Sequence, residues 1–77
     1  MSGLRVGGYF IVRLISGGQF VGRMIAEEYS NRVFEIGPSM GIVSKYTSEI
    51  SSMIPITNEE VTTINGKFTC TRQATLE

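Results

Sequence analysis

Alternation of apolar and polar residues with a period of two recurs along the chain and predicts β-strands. The first predicted strand covers residues 9–15, with Phe10 and Val12 on one face and Ile11 and Ile15 on the other. Successive strand residues point to opposite faces of a sheet. Since both faces are partly apolar, we expect the second face to be covered as well, by a neighbouring element or by a partner.

Two turns and two further strands follow the first. The Ser-Gly-Gly sequence at residues 16–18 predicts a hairpin turn, because glycine accepts the positive φ that tight turns need. The second strand is predicted over residues 19–28, and Gly22 in its middle marks a bend where a sheet curls. One face of this strand is expected to carry Phe20, Gly22, Met24 and Ala26. Tyr-Ser-Asn at residues 29–31 interrupts the pattern, and residues 32–36 form the third predicted strand.

The middle of the chain is less regular. Residues 42–46 alternate well enough to extend a strand, and residues 44–52 are rich in Ser and Thr, which suits a loop. Residues 52–57 predict a short strand that Pro55 confines to a sheet edge, because proline has no N–H to donate to a neighbour.

A second clear hairpin is predicted after this region. Two alternating runs, residues 60–64 and 67–71, flank Asn65 and Gly66. Asn-Gly between such runs is a strong hairpin signal, since both residues accept the positive φ of a type I′ turn.

Together these patterns predict an all-β fold. No segment has a helical period over a useful length, and about five strands are expected in one small, strongly bent, open barrel. With 77 residues the chain has room for one domain, which we place at residues 9–77, after a flexible lead-in at residues 1–8. A domain of this size buries only about 60% of its unfolded surface and is marginal as a monomer.

Charge and composition limit the classes of partner. Seven Lys and Arg residues balance seven acids, all of them Glu, so no net field gathers nucleic acid or an anionic membrane. No apolar run is long enough to span a membrane, and the first residues lack the apolar stretch of a signal peptide. The single Cys70 excludes an internal disulfide framework. We expect a soluble, cytoplasmic protein with no membrane partner.

Catalytic side chains are scarce. The sequence has no His and no Asp, so a general base would have to be a Glu or Lys tuned by its surroundings. Cys70 has no His to activate it as a nucleophile. Adjacent carboxylates such as Glu27 and Glu28 point to opposite faces of a strand and do not chelate a metal easily. We therefore expect no enzymatic activity, no metal and no cofactor.

The first hairpin resembles the first motif of the Sm-like (LSm) family. The resemblance rests on an apolar residue, two glycines, an acid and an Asn in the family's order, namely Leu14, Gly17, Gly22, Glu28 and Asn31. Asn31 comes one residue earlier than in the family. Reduced Sm-like chains are known in bacteriophages, and the sequence is most similar to that branch.

The second Sm motif is weaker in this chain. It is centred on Ile-Arg-Gly between the last two strands, and Ile-Asn-Gly at residues 64–66 resembles it with Asn65 in place of the Arg. In an alternative register, residues 53–57 form the fourth strand and residues 61–64 the fifth. The implied fold is an SH3-like or Sm-like open barrel, and a different SH3-like or OB-like small barrel is the alternative.

The resemblance implies a ring that binds single-stranded RNA near its central pore. Sm-like subunits pair an edge strand with the next subunit, which implies a cyclic homo-oligomer of five to seven copies. Tyr29 would stack on a base and Asn31 would hydrogen-bond a base edge. Asn65 and Lys67, in the other loop, would complete the pocket.

Other interpretations stay open. Tyr-Ser-Asn is also ordinary turn chemistry, since Asn accepts a left-handed backbone and bonds its own backbone. The oligomer would then be a protein-interaction scaffold of a phage or bacterial assembly, without RNA binding. A monomeric barrel that is one subunit of a larger assembly is a further alternative. In the two oligomers, assembly would cover the outer apolar face, which carries Ile11, Ile15, Val21 and Ile25.

Overall fold

A computed structural model describes residues 6–71, and over this range the fold is all-β, as predicted. Seven strands are present in place of the expected five or so, with two single-turn 3-10 helices at Thr47–Glu49 and Asn58–Glu60. The strands are β1 (Tyr9–Leu14), β2 (Gln19–Glu27), β3 (Asn31–Glu35), β4 (Ile42–Tyr46), β5 (Ile50–Ile56), β6 (Val61–Ile64) and β7 (Lys67–Cys70).

The first five strands form one antiparallel sheet in the order β4-β3-β2-β1-β5, and β6 pairs with β7 in a separate hairpin. Strand β2 lies between β1 and β3 and pairs with each over a different part of its length. Residues 19–23 pair with β1, and residues 23–27 pair with β3. The change of partner falls beside Gly22, where the sequence predicts a bend. Phe34 of β3 and Phe10 of β1 consequently share one buried cluster.

The predicted faces hold in β1 and in the first part of β2. One buried cluster contains Phe10, Val12, Met24 and Phe34. A β-bulge between Met24 and Ala26 then shifts the alternation by one residue, because a bulge places an extra residue in one strand. The prediction that Ala26 shares the face of Met24 is therefore wrong. Ala26 lies opposite Val33, and Glu27 takes the inner face beside Arg32.

The second face of β1 and β2 is covered by the chain itself. A second buried cluster contains Ile11, Val21, Ile56 and Cys70. The β6–β7 hairpin closes this cluster, and Phe68 of β7 also meets Tyr9 edge-to-face, with ring centroids 5.2 Å apart. The expectation that assembly covers Ile11 and Val21 is corrected by this hairpin. Ile15 stays exposed in the single chain.

The region between β4 and β6 differs most from the sequence prediction. Residues 44–52 are not a loop, because β4 reaches Tyr46 and β5 already begins at Ile50, with one 3-10 turn between them. Strand β5 lies at an edge of the sheet and pairs with β1, so the edge position predicted from Pro55 is confirmed. The alternative register makes residues 53–57 the fourth strand and residues 61–64 the fifth. In the structure, residues 53–56 belong to the fifth strand, β5, and residues 61–64 form the sixth, β6.

The predicted lead-in at residues 1–8 lies partly outside the described residues. Where it is described, the Met24 N–H donates to the Gly8 carbonyl at 2.9 Å, so the pairing with β2 continues beyond Tyr9. Residues 72–77 of the predicted domain also lie outside the described range.

Candidate nucleic-acid interface

Tyr29 lies at the tip of the β2–β3 hairpin and is fully exposed to solvent. The Glu28 N–H closes this turn by donating to the Asn31 carbonyl at 2.9 Å. A fully exposed aromatic ring adds no core packing, and its faces stay open to stacking. Tyr29 therefore has the exposure that a base-stacking side chain needs.

Asn31 opens β3 and lies directly opposite Tyr46, the last residue of β4. Directly opposed strand residues share a face, with Cβ atoms about 4.5–5.5 Å apart. The Thr47 N–H donates to the Ser30 carbonyl at 2.8 Å and holds the β2–β3 tip against the turn after β4. Tyr29, Asn31 and Tyr46 thus lie at one end of the sheet, which we call the tyrosine end.

Tyr46 is a candidate that sequence reasoning misses. Its side chain is 59% exposed. Its backbone N–H donates to the Glu49 carboxylate at 3.1 Å, which caps the 3-10 helix that follows. The alternation of residues 42–46 gives Tyr46 an outward position, but only the pairing of β3 with β4 brings it beside Asn31.

The Asn31 side chain is half-buried, and its Oδ1 atom is shielded from solvent without a hydrogen bond from any described residue. An unsatisfied buried polar group costs about 1–3 kcal/mol. Native proteins hold few such groups, and each has a physical cause such as a water, a bound ion or stored strain. Asn31 is therefore the polar group of the tyrosine end with unused hydrogen-bonding capacity.

The electrostatics of the tyrosine end do not favour phosphate. Arg32 is paired with Glu27 at 3.4 Å on the inner face, so its charge is largely compensated. Glu28 is exposed next to Tyr29. An RNA bound here would gain little from counterion release, and its affinity would come from stacking.

Asn65 and Gly66 form the tip of the β6–β7 hairpin. Their φ angles are 54° and 81°, which is the type I′ turn that the sequence predicts. This backbone conformation is a sufficient structural reason for the Asn-Gly pair. The Phe68 N–H donates to the Ile36 carbonyl at 2.9 Å, so the tip lies beside the turn that follows β3.

The two predicted pairs of site residues lie at opposite ends of β3. Tyr29 and Asn31 are at its start, whereas Asn65 and Lys67 are near its end. The five steps from Asn31 to Ile36, at about 3.4 Å each, separate the two pairs by roughly 17 Å. Within one chain, the four residues therefore do not form one pocket.

Lys67 lines a cleft of about 370 Å³ that β2, β4 and β7 border. Lys45 of β4 lines the same cleft, and the other lining side chains are mainly apolar. The nearest chemical environment of Lys67 is thus this cleft and not the tyrosine end.

Comparisons with known proteins find no family model, curated protein or solved structure that matches the chain. Within residues 6–71, no three His, Cys, Asp or Glu side chains are grouped so that they would hold a metal ion. In the same range, no helix has both the length and the apolar character to cross a membrane.

Proposed function

We propose that the chain is a non-enzymatic, Sm-like subunit that forms a cyclic homo-oligomer and binds single-stranded RNA through the tyrosine end. The observation that carries the proposal is a pair of exposed tyrosines, Tyr29 and Tyr46, beside Asn31. Stacking of a base on an aromatic ring contributes about 1–3 kcal/mol. An Asn amide carries both a donor and an acceptor for a base edge, and the shielded Oδ1 atom of Asn31 has to be uncovered before it can accept from a base.

The free edges of the five-stranded sheet support assembly. Strands β4 and β5 end the sheet, and no other strand of residues 6–71 pairs with their outer edges. Unpaired edges present backbone N–H and C=O groups to any strand that fits. Pairing of β4 in one copy with β5 in the next joins unlike edges, and such a head-to-tail contact closes into a ring when the rotation permits.

A ring would strengthen a weak base site. The tyrosine end recurs once in each subunit, so one RNA strand would contact several copies. Once the first base is bound, the others meet their sites at a high effective concentration. This multiplicity suits a site that has aromatic rings but little positive charge.

We expect Tyr29→Ala to weaken RNA binding about 5- to 150-fold, because one stacking surface is removed. Fluorescence anisotropy with short labelled oligoribonucleotides, one for each base type, measures the change. Tyr29→Phe is the matched control, since it keeps the ring and should bind like the original chain. The melting temperature of both variants should be unchanged, because the side chain is fully exposed.

The same titration distinguishes residues at the two ends of β3 by their effect on RNA binding. Asn31→Ala should reduce discrimination between bases more than total affinity, and Lys67→Gln should leave affinity within about twofold. The salt dependence should be shallow, since few phosphates are contacted. If none of the four base types binds at tens of micromolar protein and low salt, the tyrosine end is not a base site.

An oligomeric scaffold without RNA binding is the second candidate. The balance of seven basic and seven acidic residues favours it. So does the outer face of β4, where Ile42 is 64% exposed in line with Tyr46. In that case the oligomer forms and the titration with RNA shows no binding.

A further inference from the structure

We propose that the cleft bordered by β2, β4 and β7 binds an amphipathic anion, specifically a free medium-chain fatty acid. The volume of about 370 Å³ lies in the range of small-molecule sites. The cleft shares no lining residue with the tyrosine end, so this proposal does not depend on RNA binding.

The walls of the cleft suit an apolar chain. Leu14, Phe20, Val43 and Phe68 line it from four different strands. Both phenylalanine rings are held by edge-to-face contacts with another ring, at centroid separations of 5.4 Å and 5.2 Å. The walls are therefore formed before a ligand arrives, and burying an alkyl chain against them requires little reorganisation.

The charges of the cleft suit a carboxylate. The chain contains two lysines, Lys45 on β4 and Lys67 on β7, and both line this cleft. Among the described residues, neither lysine side chain has an ion-pair or hydrogen-bond partner. The side chains of Arg23 and Arg32, by contrast, are paired with glutamates. Two uncompensated ammonium groups beside apolar walls favour a ligand that has one anionic group and an apolar remainder.

The shortage of other polar groups selects a fatty acid over a peptide. Gln19 is the remaining polar side chain that lines the cleft. A bound peptide would bury several amide groups, and a buried amide without a partner is unfavourable. A fatty acid has its polar atoms at one end, and the lysines are available for them.

A chain-length series on the full chain tests the proposal. Isothermal titration with monomeric n-alkanoates, from hexanoate to dodecanoate, should show affinity rising about fourfold for each added CH₂ until the cleft is filled. Decanol, which is neutral and of equal length to decanoate, should bind more weakly, by up to about fivefold for each lysine that pairs with the carboxylate. An affinity that does not change with chain length would overturn the proposal.

The two lysines give a direct readout of the site. After reductive methylation, which keeps the charge, both lysine signals in a carbon–proton NMR spectrum should shift with decanoate. Lys45→Gln and Lys67→Gln should each lower the affinity for decanoate by up to about fivefold. Val43→Phe should reduce the volume of the cleft, so the affinity should stop rising at a shorter alkanoate than in the original chain. Val6→Ala, at an exposed apolar residue that does not line the cleft, is the matched control and should leave decanoate affinity unchanged.

Three outcomes would overturn the assignment. The first is unchanged decanoate affinity in the variant that carries both lysine substitutions. The second is binding to anionic phospholipid vesicles with no response to monomeric decanoate. The third is binding of an acidic peptide, but not of decanoate, that shifts both lysine signals. Loss of RNA binding in Tyr29→Ala should leave the decanoate affinity unchanged, so the two proposals fail separately.

Discussion

Gly37→Ala is expected to lower the free energy of unfolding by about 3 kcal/mol or more, at or beyond the upper end of ordinary overpacking. Gly37 is buried in the turn after β3. An added Cβ would lie far inside van der Waals contact with the Gly66 carbonyl oxygen, and 2.9 Å from the Met40 Cγ. The hairpin cannot retreat freely, because its Phe68 N–H is bonded to the Ile36 carbonyl at 2.9 Å.

A thermal melt followed by circular dichroism measures this effect, and a fall in melting temperature of roughly 12–24 °C is expected. The buried Cys70 on β7 gives a second readout. Its thiol should react faster with a thiol reagent once the β6–β7 hairpin no longer packs against the turn after β3. Gly18→Ala is the matched control, since its nearest neighbour would be 3.8 Å away. An unchanged melting temperature in Gly37→Ala would contradict the packing of this turn on the hairpin.

Gly22→Val is expected to cost about 2 kcal/mol net. Gly22 is buried where β2 changes partner. Its Cβ would lie 3.0 Å from the Phe34 Cβ and 3.2 Å from the Phe20 Cε2. Because the Phe34 Cβ is attached to the backbone, it cannot rotate away. Overpacking of about 1–3 kcal/mol must exceed the advantage of valine over glycine in strands, which is about 1 kcal/mol or less.

The fall in melting temperature for Gly22→Val should be roughly 8–16 °C. Gly18→Val makes the same chemical change in an exposed turn, and its φ is not in the left-handed region, so it should shift the melting temperature little. Equal melting temperatures for the two variants would show that Phe20 and Phe34 do not enclose position 22.

Sequence patterns predict the local elements of this fold well. Alternation and turn glycines locate β1 and β2, and Asn65-Gly66 locates the β6–β7 turn. The close approach of Phe34 to position 22 also agrees with the sequence, because a glycine inside an apolar strand leaves room for a close neighbour. These signals succeed because each depends on residues within a few positions of one another.

Features that depend on distant residues are not predicted. The bulge after Met24 arises from how β2 pairs with β3, and nothing in the alternation marks it. The cover over Ile11 comes from a hairpin about fifty residues later in the sequence. A strand face that is covered is apolar, whether the cover comes from the same chain or from another subunit. The sequence therefore does not distinguish a tertiary contact from a subunit contact.

The candidate site is predicted in part for the same reason. The exposure of Tyr29 follows from its place in a turn, which is a local property. The position of Asn31 opposite Tyr46 depends on the register of β3 and β4. The distance between Asn65 and Tyr29 depends on which end of β3 each hairpin contacts.

Native mass spectrometry of the full chain, with and without an equimolar short oligouridylate, tests ring assembly and RNA binding in one experiment. We predict one dominant species at five to seven times the chain mass of 8.5 kDa. Addition of RNA should raise that mass by one oligonucleotide, and Tyr29→Ala should lower the RNA-bound fraction, in line with affinity about 5- to 150-fold weaker, without changing the number of protein copies. A species with the mass of one chain that takes up no RNA would contradict both the assembly and the RNA site.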